Sequence, residues 1–331
     1  MNYTSLQSER IDLSTHIPLA NPFTIYIEPT NICNFKCKFC PQSLESFKEE
    51  SGGVYSLSEQ NFDIILEQIK AFQKISTLNL HYMGEPFVNK NIIKFIRLAK
   101  EANISEKVIV TSNGSLIKEN IFYDLCKSNL DYLRVSIYAG SDLKHNTTTK
   151  SKIPLKRILE QLRALHKFKL DNNFKKPHVY IKMIRSDDEN ENNLFFENFR
   201  NAGNEIELED VMDWNGHNKK TFSNISQKDV FKQKTFSVKK EVCPYPFYTL
   251  VVHADLNVSL CCVDWNKKTV VGNLKENTLK EIWQGKKIRE FQRMHLTRRA
   301  GELEGCKNCT YLHTARDNLD NVSKEIVDKF L

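Results

Sequence analysis

An α/β fold with a parallel sheet, followed by a small cysteine-bearing module, is what this sequence predicts. Three observations carry the expectation. Six short apolar runs alternate with helix-patterned segments up to residue 212, three cysteines crowd the loop straight after the first run, and five more are spread between residues 243 and 309. The 331 residues, 40% of them hydrophobic, suffice for one large core plus a smaller module.

Residues 1–22 form a polar, irregular lead-in, and residues 23–212 the β/α unit. Thr24–Glu28 reads as the first strand. Ser58–Phe72 reads as a helix, with Ser58 placed to cap it and Phe62, Ile65, Leu66 and Ile69 recurring at helical spacing. Strand Thr77–His81, helix Asn91–Ala102, strand Lys107–Thr111, helix Ile117–Lys127, strand Tyr132–Ile137 and a long helix Pro154–Leu170 follow. Strand Pro177–Ile184, helix Asn192–Asn201 and strand Glu205–Val211 complete the series. Right-handed crossovers wind such a series into either a doubly wound sheet or an incomplete barrel, and periodicity does not choose between them. Residues 213–242 are polar and Lys-rich, with an Asn215-Gly216 turn signal, and read as a connector. The module at 243–311 opens with a hairpin, Phe247–His253 and Leu256–Cys261, and continues with one helix, Thr278–His295. Residues 312–331 read as a polar, amphipathic tail.

The charge is mixed rather than clustered. A formal net charge of +7 comes from Lys interspersed with Asp and Glu, with no basic stripe interleaved with aromatics, so no nucleic acid is expected as partner. A zinc-bound nucleic-acid binder is the remote alternative. No run approaches the roughly 20 apolar residues that cross a bilayer, and Met1–Ala20 lacks a signal pattern, so a cytoplasmic protein that avoids membranes is expected. Nine cysteines in such a compartment point to metal ligation rather than disulfides.

Cys33, Cys37 and Cys40 are separated by three and then two residues, at the carboxyl end of the first strand. Ligands of parallel α/β sheets bind at that end. Three close thiolates wrap one face of an iron–sulfur cubane and leave one iron open for chemistry. A zinc knuckle would want a fourth ligand close by, which this stretch lacks.

The segment CNFKCKFC resembles the CX3CXφC signature of the radical S-adenosylmethionine (radical SAM) superfamily, with Phe39 as the aromatic φ. The resemblance implies a partial (β/α)6 TIM-like barrel, matching the six units above. It also implies a [4Fe–4S] cluster whose open iron is chelated by S-adenosyl-L-methionine, and a 5′-deoxyadenosyl radical that abstracts a substrate hydrogen. Met83, Gly84, Glu85 and Pro86 resemble the GGEP motif that holds the methionine amino group, with Met83 departing from the first Gly. Thr111-Ser112-Asn113-Gly114 stands where relatives carry TNG, and Ser136 resembles the ribose-binding residue. Arg185, ending strand five, and Trp214, following strand six, are candidates to face cofactor or substrate.

Cys243, Cys261, Cys306 and Cys309 form the second set; from ligand type alone they suit either a zinc ion or a four-thiolate cluster. CPYPF, VSLCCVDW, VGNL, LKEIW and CKNC together resemble the SPASM and twitch modules of radical SAM proteins. The twitch-type resemblance, with four candidate ligands and one spare cysteine, implies one auxiliary [4Fe–4S] cluster. Cys262 points away from Cys261 if both lie on a strand, and is either packed or a hydrogen-atom donor; Cys126 belongs to the core. The resemblance implies a flavodoxin- or ferredoxin-type reductant. It implies hydrogen abstraction from a small polar substrate such as a sugar, aminocyclitol or sugar nucleotide. Dehydrogenation with the auxiliary cluster as electron acceptor leads; radical epimerisation with a cysteine donor, or peptide modification, are the alternatives.

Overall fold

The computed structural model describes residues 11–209 and 239–330. Six parallel strands are present: β1 (Thr24–Ile27), β2 (Ile75–Asn79), β3 (Ser105–Ser112), β4 (Tyr132–Ile137), β5 (His178–Ile184) and β6 (Glu205–Glu209). They lie side by side in chain order. That order chooses between the two windings. A doubly wound sheet reverses direction partway, whereas a single direction with right-handed crossovers puts every helix on one face and curls the sheet into an incomplete barrel.

The helices of this layer are α1 (Glu59–Lys70), α2 (Ile92–Glu101), α3 (Phe122–Lys127), α4 (Asp142–Thr149), α5 (Leu155–Asp171) and α6 (Glu189–Phe199). Ser58 caps α1 as its position predicts, its Oγ accepting from the Asn61 N–H at 3.2 Å. The core is the layer between helices and sheet. Ile25 and Ile27, Leu78, Val108 and Val110, Leu133 and Val135, and Val179 and Ile181 alternate toward Phe62, Phe95, Leu159 and Phe195. The intervening strand residues face the barrel interior.

The sheet does not stop at β1. β7 (Thr249–Val252) pairs parallel to it, Thr24 opposite Thr249 through Ile27 opposite Val252. β8 (Asn257–Ser259) and β9 (Val270–Asn273) follow antiparallel, so nine strands form one sheet. The hairpin therefore sits where expected but extends the main sheet. The single helix expected over Thr278–His295 is two, α7 (Leu279–Gln284) and α8 (Lys286–Leu296), because Gly285 is extended, with φ −72° and ψ 157°. A capping box from Thr278 and Glu281 starts α7. The last segment is less polar in its role than its composition suggests. Leu319, Ile326 and Phe330 are buried, and Phe330 meets Phe247 edge-on at 5.5 Å. No helix among the described residues is long and apolar enough to cross a membrane.

Candidate functional site

The loop carrying Cys33, Cys37 and Cys40 is held from several sides. Lys36 and Lys38 donate backbone N–H bonds to Thr149 and Thr148 at the end of α4, each at 2.9 Å. Phe35 is buried against His145. Asn34 accepts from the Asn113 amide and donates to the Ser115 hydroxyl, both at 2.9 Å. The Gln42 amide bonds the Asn31 carbonyl at 2.7 Å and the Met83 carbonyl at 3.1 Å, tying the loop to the segment after β2.

That segment is Met83-Gly84-Glu85-Pro86. Gly84 lies against the chain leading into the cysteine loop, and the Glu85 N–H bonds the Ile32 carbonyl at 2.9 Å. The Glu85 carboxylate, 2% exposed, accepts from the Ser112 hydroxyl at 2.8 Å, the Asn113 N–H at 2.7 Å and the Phe87 N–H at 3.1 Å. It joins the ends of β2 and β3, while burial pushes its carboxyl up to about 7. Met83 packs its side chain on Phe47 and Trp265, the latter from the C-terminal module. The sequence motif thus has a second duty that its spelling did not disclose.

Burial pushes the Cys33 thiol up to about 11 and that of Cys40 to about 12. Burial, with the neighbouring charges of Cys40 and Cys33, pushes Cys37 well above the ordinary thiol range. Such thiols give up their protons to a metal rather than to water. Tyr138, next along the same face of the chain after Ser136, faces both Ser136 and Cys37. The structure therefore gathers Met83 to Pro86, Ser112, Asn113 and Ser136 around the three-cysteine loop. Arg185 follows the last residue of β5 with an exposed side chain, and Trp214 lies outside the described residues.

Cys243, Cys261, Cys306 and Cys309 line one cavity of about 170 Å³. Burial raises Cys243, with Cys309 and Cys306 adding to it; burial raises Cys306 to about 12, with Cys309 beside it. The turn that presents Cys261 is anchored by Asp264, which accepts from the Lys268 N–H at 2.8 Å and from the Thr269 N–H and hydroxyl at 2.7 Å. His295 on α8 also faces this cavity. All nine cysteines are free thiols. Among the described residues, no three His, Cys, Asp or Glu side chains converge as tightly as a single ion requires. Thiols that feel one another's charge yet stand apart fit ligands of different irons in one cluster.

Cys262 does not line that cavity. Its thiol is directed to the Tyr311 hydroxyl at 3.6 Å, within a cluster that includes Tyr26 of β1, Tyr82 and Tyr245. Cys126 is buried in the core.

The barrel interior holds a group of residues not foreseen from sequence. Arg134 donates to Glu209 at 3.2 Å, Lys182 to Glu209 at 2.5 Å, and the Tyr180 hydroxyl to Glu207 at 2.7 Å and Glu209 at 3.1 Å. Burial pushes the Lys182 ammonium down to about 8, helped by Arg134 and opposed by Glu209. His81, bonded to Thr111 at 3.2 Å, is pushed down to about 3 by burial and is neutral. Ser136 and Lys182 are register partners, so this polar group adjoins the cysteine-loop end of the sheet.

Comparison with known proteins agrees with this layout. The model for the radical SAM superfamily matches residues 27–192, and that for the SPASM iron–sulfur cluster-binding domain matches residues 243–310. The chain is similar to an S-adenosyl-L-methionine-dependent 2-deoxy-scyllo-inosamine dehydrogenase of Niallia circulans, 24% identical over 285 residues, covering 86% of this chain and 91% of that protein. A probable GTP 3′,8-cyclase of Saccharolobus islandicus is 31% identical over 112 residues, 34% of this chain and 33% of that one. Among solved structures, BtrN in complex with AdoMet and 2-DOIA matches with a TM-score of 0.61 at 20% identity, covering 90% of this chain and 97% of BtrN. Native anSMEcpe with bound AdoMet matches at 0.59 and 16% identity, covering 93% and 96%. The two structural likenesses carry the fold.

Proposed function

The chain belongs to the radical SAM superfamily, and we propose that within it this protein oxidises a hydroxyl- or amine-bearing carbon of a small polar substrate of the sugar or aminocyclitol class. One observation carries the reading: a charged, hydrogen-bonding group (Arg134, Tyr180, Lys182, Glu207 and Glu209) lines the barrel interior beside the three-cysteine loop. Similarity along most of its length to an aminocyclitol dehydrogenase supports it.

When bound, the first cluster with S-adenosylmethionine would supply hydrogen-atom abstraction from the substrate carbon, and the auxiliary cluster would supply one-electron acceptance. The protein's part is to hold and orient. Cys33, Cys37 and Cys40 would ligate the first cluster; Gly84, Glu85, Ser112, Asn113 and Ser136 would shape the S-adenosylmethionine pocket. Cys243, Cys261, Cys306 and Cys309 would hold the auxiliary cluster. Arg134 and Glu209 orient substrate hydroxyl or ammonium groups, and Lys182 takes the hydroxyl proton that leaves as the carbonyl forms. A flavodoxin- or ferredoxin-type protein is the electron source this reading requires.

A proton acceptor near 8 has a definite signature. Only neutral Lys182 accepts a proton, so kcat/KM is expected to rise about tenfold per pH unit up to about pH 8 and then level off. Lys182→Met is expected to lower kcat by about two to three orders of magnitude and abolish that rise, with 5′-deoxyadenosine still formed. A pH–rate profile of both proteins checks this.

The direct test is turnover in D2O with S-adenosylmethionine, a reductant and candidate cyclitols. A product two mass units lighter than its substrate supports oxidation. A product one unit heavier with a changed retention time overturns oxidation in favour of epimerisation. The position of the Cys262 thiol among Tyr26 and Tyr311 is what favours that second reading. For a dehydrogenase, Cys262→Ala is expected to keep kcat within about threefold, since a packed thiol behaves as a small apolar group; loss of deuterium incorporation in this variant would assign the donor role.

A further inference from the structure

The polar lining of the four-cysteine cavity includes a histidine set against one of the thiols. His295 sits in the last turn of α8, is 2% exposed and faces the same cavity as the thiols. Its Nε2 stands 3.6 Å from Cys306 Sγ. Its Nδ1 has no hydrogen-bond partner in the structure. A buried ring nitrogen left unpaired costs about 1–3 kcal/mol, so the ring is oriented by something other than core satisfaction. The neighbouring thiols differ in one respect. The Tyr245 N–H is aimed at Cys243 and the Val263 N–H at Cys261. Among the described residues, His295 is the hydrogen-bond partner given to Cys306.

We infer that His295 is a fifth protein group of the four-cysteine site, donating an Nε2–H hydrogen bond to the Cys306 thiolate and thereby setting the redox potential of the cluster held there, without ligating iron. The inference rests on the reading of these four cysteines as ligands of one cluster. A thiolate offers only lone pairs, so the facing nitrogen must carry the hydrogen, which leaves Nδ1 as the bare nitrogen, as its lack of a partner allows. A hydrogen bond to a ligating sulfur draws electron density from it and favours the reduced cluster. His295 is thus a positioning residue that makes the site a better electron acceptor.

The test uses full-length protein carrying Cys33→Ala, Cys37→Ala and Cys40→Ala, so that the auxiliary cluster is the one assembled. Its midpoint potential is read by an EPR-monitored redox titration, with iron content measured alongside. His295→Leu is expected to lower the reduction equilibrium constant about tenfold, about 59 mV for one electron, with iron content unchanged. His295→Gln, which keeps an N–H donor, is expected to recover most of that shift. In the protein with His295 intact and 15N-labelled histidine, a weak 15N coupling to the reduced cluster is expected. An unmoved potential with iron retained, a strong coupling typical of direct ligation, or no coupling at all would each overturn the inference while leaving the four-cysteine site standing. If the triple-alanine protein takes up no cluster, the four-cysteine reading falls and takes the inference with it.

Discussion

Cys37→Ala protein, loaded with iron and sulfide without oxygen, is expected to form 5′-deoxyadenosine only at background, a fall of at least about three orders of magnitude. It should keep about half of its iron, because the four-cysteine site is untouched. Cys37 is the most enclosed thiol of its loop. The loop's anchors do not involve its side chain: the Lys36 and Lys38 N–H bonds to α4, the Asn34 bonds and the Gln42 bonds all remain. The substitution therefore removes the thiol proposed as a ligand without removing the loop's anchors. Cys243→Ala gives the opposite pattern: 5′-deoxyadenosine still forms, but oxidised product does not. Quantifying 5′-deoxyadenosine, product and iron in the two variants checks both halves. Equal loss of 5′-deoxyadenosine in both would contradict separate roles for the two thiol sets.

The second large effect comes from one hydrogen atom. A Cβ added at Gly84 would stand 2.2 Å from the Thr30 carbonyl oxygen and 2.7 Å from that of Ile32. Both are backbone atoms on the chain that leads into Cys33, so no side-chain rotation relieves the overlap. Gly84→Ala must push the Met83–Pro86 segment away from this chain, breaking the Glu85 N–H bond to Ile32 and the Gln42 bond to Met83. Glu85 would then leave Ser112 and Asn113. Overpacking of this kind costs about 3 kcal/mol or more. S-adenosylmethionine binding is expected to weaken at least about a hundredfold, since 1 Å of misplacement at a site has that scale. Chemical denaturation and calorimetric titration of the loaded protein measure the two effects. A variant with wild-type stability and affinity would show that this close approach is not needed.

The parts of this molecule that sequence disclosed are those fixed by local chemistry. Cysteines at set intervals stand out in a sequence, so the grouping of Cys243, Cys261, Cys306 and Cys309 around one cavity was legible. The strands could be read because Ile25 and Ile27 or Leu133 and Val135 alternate toward one core. What sequence withheld depends on pairings between distant segments. The winding direction became visible only from strand order. β7 joins β1 from more than 200 residues away, and no composition rule predicts that partnership. The break at Gly285 was hidden because LKEIWQ and KKIREFQRMHL share an amphipathic pattern on either side of it. The interior group was hidden differently. Arg134 and Lys182 alternate with apolar neighbours and Glu209 follows Leu208, as charges on any half-solvated strand do, and only the register of β4 to β6 makes them one cluster. His295 looked like one more polar residue on a basic helix.

The pairing of β7 with β1 has a mechanical meaning. The three-cysteine loop leaves the sheet after β1, and Cys261 leaves it just after β8, two strands away. Both cysteine sets are thus pegged to one continuous ladder of main-chain hydrogen bonds. Their separation cannot breathe with a hinge, because changing it means tearing a sheet through its middle. Under the proposed function, an electron passing from substrate to the auxiliary site would cross a span that this ladder fixes. The margins of the described ladder, at β6 and β9, are where the sheet can yield without altering that span.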